Sequence, residues 1–277
     1  MELKKLAAKL SMIGIAALFS GAAAAAPSIT NLDGTKTPFG GFDWDSASAA
    51  WTSGYTGVVG STFTLNYAGW ATSVKNTGGG ILPNLYQFDN SADGIANSFF
   101  QNLNLGGSYE YTVRATFSEK VVGCAADFSS CTFQVTGGTF NVYYDTGANA
   151  KSDVSAWTGF SDGTLVLSGW FVGGSNTLFS TATGGQAALS GYVTYTNNAY
   201  INPSLYNTNV TSTLQLASAV TNYIAPSSVD GLAVGERQIV FQADANQTFH
   251  VPEPSSMALV GLALTGIGFV GRRRKSA

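Results

Sequence analysis

The sequence has 277 residues, which is long enough for one large domain or two small ones. Only 10% of the residues are charged, while 45% are hydrophobic and 33 are glycine, and this argues against both a disordered chain and a helical cytosolic enzyme. Residues 27–250 contain 14 acidic and 6 basic side chains, a net charge of −8, which excludes the basic surface that nucleic-acid binding requires.

The first 26 residues have the organisation of a secretory signal peptide. Three lysines lie within the first nine residues, an apolar run follows at 10–19, and small residues occupy 21–26. Signal peptidase is therefore an expected partner, with cleavage between residues 24 and 26. An uncleaved membrane anchor is the alternative, whereas a lipoprotein is excluded because no cysteine lies near the cleavage region.

Residues 27–250 are predicted to form one all-β passenger domain, since apolar and polar side chains alternate in several short segments. The clearest segment is 109–117. The other predicted strands are 62–67, 132–135, 139–144, 165–172, 187–196, 237–242 and 248–251. Glycines at 137 and 138 predict a hairpin turn, and 211–223 favours a strand followed by a turn. About nine short strands without a long amphipathic helix predict a single β-sandwich or jelly-roll-like fold.

Cys124 and Cys131 are the two cysteines of the chain, with six residues between them. Outside the cytoplasm such a close pair usually forms a disulfide, which would stabilise the fold by about 2.5 kcal/mol. A metal site is the alternative, but one histidine in the whole sequence leaves few soft ligands. The sequence therefore predicts a disulfide and no metal at this pair.

Calcium is the cofactor for which the sequence offers a weak candidate. The segment 145–153 contains Asp145, Asn149 and Asp153 around a glycine, and their oxygens are suitable ligands. The segment lacks the alternating aspartates and the terminal glutamate of an EF-hand. A solvated loop is the alternative, and no cofactor is predicted.

No set of residues with the spacing of an active site occurs in the passenger. His250 lies directly before the C-terminal motif, so the passenger offers no imidazole base for a serine or cysteine nucleophile. Asp43 and Asp45 flank Trp44 and are a candidate carboxylate pair for glycoside cleavage, with solvated loop carboxylates as the alternative. The glycines at 78–80 are not followed by the Lys-Ser/Thr pair of a phosphate-binding loop. The sequence predicts a protein that is not an enzyme.

The five tryptophans of the sequence are suited to polysaccharide binding, because flat aromatic faces stack on sugar rings. Trp44, Trp51 and Trp157 lie in loop-like stretches and are the candidate glycan contacts. Trp170 lies in a predicted strand and is expected in the core. Core packing is the alternative for each of them.

The last 27 residues contain three parts in a fixed order. The first is the short motif Val251, Pro252, Glu253 and Pro254. The second is the uncharged segment 255–271, which as a helix of 17 residues would measure ~26 Å, at the short end for a hydrocarbon core of ~30 Å. The third is the basic stop-transfer cluster of Arg272, Arg273, Arg274 and Lys275, which would stay in the cytoplasm.

This tail resembles the PEP-CTERM sorting signal of Gram-negative bacteria. The resemblance implies recognition by exosortase, a membrane enzyme similar to cysteine transpeptidases, and processing near the Pro-Glu-Pro motif. It also implies transient membrane anchoring through a transmembrane sorting helix, followed by placement at the cell surface or in the extracellular matrix. Residues 251–277 are therefore the predicted sorting signal, and a plain tail anchor is the alternative.

The passenger also resembles, more loosely, the PEP-CTERM proteins that are associated with flocculation. The segments 39–45, 97–101, 141–145 and 160–163 carry this resemblance. It implies a structural or adhesive role in biofilm exopolysaccharide or in floc formation. A polysaccharide-binding module that uses loop tryptophans is the alternative hypothesis, and an enzyme acting on glycans is the least favoured one.

Overall fold

The computed structural model describes twelve stretches of the chain. They are residues 26–30, 34, 36–76, 86–88, 100–102, 107–147, 149–150, 157–174, 176–180, 183–217, 226–234 and 239–251. Residues Pro27–Val251 form one compact unit. Residues 1–25 of the predicted signal peptide and residues 252–277 lie outside the described stretches. Within them, no helix is long and apolar enough to cross a membrane, and the span predicted at 255–271 lies outside them.

The described stretches contain β-strands and no helix, so the all-β prediction is confirmed for them. In chain order the strands are β1 (Ser28–Thr30), β2 (Lys36–Pro38), β3 (Gly41–Trp44), β4 (Ser48–Ser53), β5 (Thr62–Lys75), β6 (Tyr86–Phe88), β7 (Phe100–Asn102), β8 (Gly107–Cys124), β9 (Ser130–Asp145), β10 (Thr164–Gly174), β11 (Asn176–Ser180), β12 (Gly185–Thr196), β13 (Ile201–Asn202), β14 (Asn209–Leu216), β15 (Ser228–Val229), β16 (Leu232–Ala233) and β17 (Val240–His250).

Eight strand positions close into an antiparallel barrel. From β8 the hydrogen-bonded order runs through β9, β10, β12, β14 and β17. β3 and β4 lie end to end and share the next position, because both pair with β17 on one side and with β5 on the other. β5 then pairs with β8 and completes the circle.

The predicted β-sandwich or jelly roll is therefore wrong. Alternation of apolar and polar residues decides which side chains face inward, and it is the same for a sandwich and for a barrel. Closure depends on pairs that are far apart in sequence, such as β17 with β3. Two strand boundaries are also wrong: β9 runs through the glycines at 137–138 without a turn, and β17 is one strand where two were predicted.

The barrel interior is the main core, and aromatic side chains fill much of it. Along β10, Gly169 and Phe171 face inward after a register shift between Leu165 and Leu167. The ring of Phe171 packs 5.2 Å from that of Phe140 and 5.4 Å from that of Phe117. A fully buried phenylalanine contributes about 1.5–3 kcal/mol, so these rings are a principal source of stability.

Two glycines allow close packing beside these rings. A Cβ atom on Gly169 would overlap the ring of Phe140, and one on Gly191 would overlap the carbonyl oxygen of Trp170. Gly191 pairs directly with Phe171, and its missing side chain lets the backbones of β12 and β10 approach each other closely. In both places a glycine therefore lies opposite a phenylalanine on the neighbouring strand.

A second and smaller core lies on the outer side of the wall at β4 and β5. Trp51 and Trp70 project outward there and are covered by Trp157, Phe160 and Val229. The rings of Trp157 and Phe160 are stacked at 5.5 Å, and that of Trp70 lies 5.6 Å from Trp157. The segment before β10 and the β15–β16 hairpin thus bury one part of the outer face, which we call the covered face.

Candidate functional site: an aromatic row on the barrel wall and a C-terminal sorting motif

The three tryptophans with predicted glycan contacts are buried. Trp44 faces the barrel core and stacks on Phe42 with ring centroids 4.9 Å apart. Trp51 and Trp157 belong to the smaller core, and the exposed fractions of the three are 3%, 5% and 2%. Their ring faces are closed by protein in this fold and offer no surface on which a sugar could stack.

Trp170 has the opposite environment to the one predicted. It lies on the outer side of β10 with 52% of its surface exposed, whereas its sequence neighbours Gly169 and Phe171 face the core. The sequence contains a weak signal of this orientation. Trp170 is two residues after Ser168, so the two side chains point to the same face of the strand, and a polar serine favours the outer face. The signal is ambiguous because apolar residues occupy both alternating sets of β10.

A line of directly paired, exposed residues crosses six strands at the level of Trp170. It consists of Thr116 (β8), Thr139 (β9), Trp170 (β10), Tyr192 (β12), Asn209 (β14) and His250 (β17). We call these six residues the aromatic row. Since neighbouring strands are ~4.8 Å apart, the row follows the curved wall of the barrel for about 24 Å.

Hydroxyl and amide groups surround the two rings of the row. The hydroxyl oxygens of Thr116 and Thr139 are 3.1 Å apart, and the Ser168 hydroxyl donates to Asn141 Oδ1 at 2.7 Å. Tyr195, which is 43% exposed, pairs with Ser168 on the same outer side. The six residues of the row contain no carboxylate. The surface around Trp170 and Tyr192 therefore combines exposed rings with hydrogen-bonding groups and no carboxylate from the row, which suits the stacking and hydrogen bonding of an uncharged sugar chain.

His250 ends both the row and the last strand. Its Nε2 lies 2.7 Å from the Thr211 hydroxyl, and its backbone position pairs with Asn209. The next residue, Val251, packs against the barrel core. The barrel therefore continues up to the first residue of the predicted sorting motif.

Cys124 and Cys131 form the predicted disulfide. It joins the end of β8 to the beginning of β9 and closes a loop with Phe128 at its exposed tip. Phe128 has a positive φ of 56°, a backbone conformation that is uncommon for a bulky residue. The disulfide holds this strained tip against the barrel.

Removing the disulfide is expected to lower the free energy of unfolding by about 2.5 kcal/mol, because the unfolded chain regains the entropy of an open loop. The test compares urea unfolding of the exported protein with that of the Cys124→Ala/Cys131→Ala variant. A reductant should lower the midpoint of the natural protein and leave that of the variant unchanged. Equal midpoints for the natural protein and the variant would contradict the prediction.

The candidate carboxylate pair has partners within the fold. Asp43 accepts hydrogen bonds from Asn246 at 3.1 Å and from Ser73 at 3.4 Å. Asp45 accepts one from the backbone N–H of Ala47 at 2.6 Å, in the turn that leads into β4. These contacts account for both carboxylates as parts of the β3–β4 corner.

The candidate calcium segment is described only in part. Asp145 accepts the backbone N–H of Gly147 at 2.8 Å, and the Asn149 side chain donates to Asp162 at 2.9 Å. Residue 148 and residues 151–156, including Asp153, lie outside the described stretches, as do the glycines at 78–80. In the part of the chain that is described, no group of three or more His, Cys, Asp or Glu side chains is placed to hold a metal ion.

The family model of the PEP-CTERM protein-sorting motif matches residues 250–275. The chain carries a PEP-CTERM sorting signal. The match includes the motif 251–254 and the basic cluster 272–275, so the resemblance seen in the sequence is confirmed. The PEP-CTERM signal indicates an exosortase-targeted extracellular protein that is exported and transiently anchored in the membrane before its final placement. Comparison with curated proteins and with solved structures found no match.

The PEP-CTERM signal begins where the barrel ends. His250 is both the last residue of β17 and the first residue of the matched segment. The aromatic row therefore reaches the strand that leads directly into the sorting signal, with no linker in the sequence between them.

Proposed function

We propose that the exported barrel is a structural or adhesive protein of the extracellular matrix that binds uncharged polysaccharide along the aromatic row. The observation that carries this proposal is the pair of exposed rings, Trp170 and Tyr192, side by side on β10 and β12 among hydroxyl and amide groups. The PEP-CTERM signal supports it, because it delivers the barrel to the compartment that contains exopolysaccharide. The proposed role in biofilm or floc formation is binding without turnover.

The exposure of the rings favours a ligand over a purely structural explanation. On the covered face the outward tryptophans are buried by the β15–β16 hairpin, whereas on the row two rings are left at the surface. An exposed flat ring stacks on the apolar face of a sugar, and the neighbouring hydroxyls satisfy its hydroxyl groups. The ligand is expected to be uncharged, because residues 27–250 have a net charge of −8 and would repel an acidic polymer.

Replacing Trp170 with alanine is expected to weaken polysaccharide binding at least about tenfold. The reason is that tryptophans that become buried on binding are frequent anchors of interfaces. Affinity electrophoresis of the exported protein in gels containing dextran, galactomannan or alginate measures this. Tyr192→Ala should give a smaller loss. Leu232→Ala is the matched control, because Leu232 is 66% exposed but lies on the β15–β16 hairpin.

The gels also separate the competing hypotheses. Retention by alginate alone, or retention that is unchanged in Trp170→Ala, would count against the row as the binding surface. Shortening of the polysaccharide during incubation would revive the hypothesis of an enzyme.

In cells, deletion of 251–277 should change surface placement, whereas Trp170→Ala should keep that placement and lower aggregation.

A further inference from the structure

An apolar pocket of about 360 Å³ opens into one end of the barrel. It lies where β8 and β14 end and where β5, β9 and β17 begin. Its apolar walls are Phe63, Leu65, Phe133, Phe179, Leu216 and Phe241. The volume is within the range of sites that hold small molecules, and the mouths of barrels are a common place for them.

One carboxyl group lines this pocket, on Glu119 of β8. The residue faces inward because Phe117 and Val121 on either side of it are buried, while Ser118 and Lys120 are exposed. Only 4% of its surface is accessible. Among the described residues it has no hydrogen-bond or ion-pair partner, and burial raises the pKa of its carboxyl group to about 7.

The other deeply buried carboxylate of the described chain shows what is missing at Glu119. Glu110 accepts hydrogen bonds from the backbone N–H groups of Asn149 and Ala150, both at 2.8 Å. A buried polar group without a partner costs about 1–3 kcal/mol, and more when it is charged. A natural fold that keeps such a group in an apolar pocket therefore points to a partner other than the described residues, and the open pocket gives a ligand access to the group.

We infer that the pocket binds a small apolar amine, whose ammonium group pairs with Glu119 while its hydrocarbon part fills the apolar walls. The aromatic rings favour a cation as well, because their faces attract positive charge. A fatty acid fits less well, since its carboxylate would meet a group of the same charge. This inference does not depend on the polysaccharide proposal, because it concerns the inside of the barrel and not its outer face.

The rim of the pocket consists of the disulfide loop and the segment after β4. The Tyr55 hydroxyl lies 3.5 Å from Cys131 Sγ, and the ring of Tyr55 packs on that of Phe63 at 5.1 Å. Phe128 is 61% exposed and also lines the pocket, so the disulfide loop presents an aromatic ring at the entrance. Tyr55 is the other titratable side chain of the lining; burial raises its pKa, so it stays neutral at physiological pH.

Binding of an ammonium group should release a proton from the pocket to the buffer. Below about pH 7 Glu119 is protonated, and pairing with the ammonium favours its ionised form, so one proton passes to the buffer. Affinity should therefore rise from pH 6 to pH 8 and level off once the carboxyl group is ionised. A neutral alcohol of the same shape releases no proton.

Calorimetry of the exported protein, purified without detergent, tests the inference with three probes of one shape. They are 2-phenylethylamine, 2-phenylethanol and 3-phenylpropionate. The amine is expected to bind about 10- to 100-fold more tightly than the other two, as one charge-assisted hydrogen bond contributes. Repeating the titration in buffers of different ionisation enthalpy measures the released proton.

Glu119→Gln keeps the shape and the hydrogen-bonding capacity but removes the charge. It should abolish the preference for the amine and the proton release, and leave binding of 2-phenylethanol unchanged. Glu110→Gln is the control, since that carboxylate lies outside the pocket lining, and it should bind the amine normally. Equal affinities for amine and alcohol in the natural protein would overturn the inference, and so would no amine binding at about 10 mM or an unchanged preference in Glu119→Gln. If Glu119→Gln fails to fold, proton release in the natural protein decides.

Discussion

Replacing Asp230 with alanine is expected to lower the free energy of unfolding by about 3 kcal/mol, one of the largest effects of a single substitution in this fold. The Asp230 carboxylate pairs with Arg114 at 2.8 Å and accepts hydrogen bonds from Ser161 at 2.9 Å and from the N–H of Phe160 at 3.1 Å. One side chain in the β15–β16 hairpin thus connects the barrel wall with the segment before β10.

The loss follows from what remains after the substitution. Arg114 lies over the Trp51 ring at 5.4 Å and is only 19% exposed, so without Asp230 its charge is left partly buried and unpaired. Burial already lowers the pKa of the Arg114 guanidinium, and the charge of Asp230 opposes this effect. Asp230 also has a positive φ of 47°, which alanine tolerates less well than aspartate or asparagine.

Urea unfolding measures this loss, and Asp230→Asn separates its causes. Asparagine accepts the positive φ and keeps the shape, so it should lose about half as much stability as alanine. Asp127→Ala is the control, since the Asp127 carboxylate is in the exposed disulfide loop and accepts hydrogen bonds from the neighbouring Ser129. A loss at Asp230 no larger than that at Asp127 would show that the ion pair does not hold the covered face.

The free energy of unfolding is expected to fall as the pH rises from about 5 to about 8, which is opposite to ordinary acid denaturation. Burial raises the pKa values of Glu110 and Glu119 from 4.5 to about 7. Between these values the folded protein binds more protons than the unfolded chain, so raising the pH favours unfolding. Each group should contribute on the order of 2 kcal/mol to this fall.

Chemical unfolding at several pH values tests the sign. Glu110→Gln and Glu119→Gln should each remove part of the slope, because glutamine does not titrate. Because the pKa values of the two groups are raised to about the same value, the two variants should lose similar parts of the slope. Stability that is flat or rises between pH 5 and pH 8 would contradict the prediction.

Local signals in the sequence were sufficient for several features. Alternation along 109–117 predicts the inward Tyr111, Val113, Ala115 and Phe117 correctly, because the side chains of a strand point to opposite faces in turn. The spacing of two cysteines outside the cytoplasm predicts their disulfide. The sorting signal is a linear motif, and the order of its parts was enough to recognise it.

The tryptophans show where local reasoning fails. Trp51 and Trp157 look like loop residues, but the β15–β16 hairpin, far away in the sequence, helps to cover them. Trp170 looks like a core residue, but its neighbours Gly169 and Phe171 face the interior, so Trp170 lies on the outer side of the wall. Whether an outward side chain is buried depends on which distant segment lies over it, and alternation contains no information about that.

The sequence by itself therefore determined the all-β class, the disulfide and the extracellular destination of the chain. Each of these depends on neighbouring residues: the period of a strand, the spacing of two cysteines, and the order of a motif. Only the tertiary structure decided that the sheet closes, because closure needs β5 to pair with β8 and β17 with β3 and β4. The same closure exposes the aromatic row on the outside and places the Glu119 carboxyl group within an apolar pocket, since a closed wall separates an inner from an outer face.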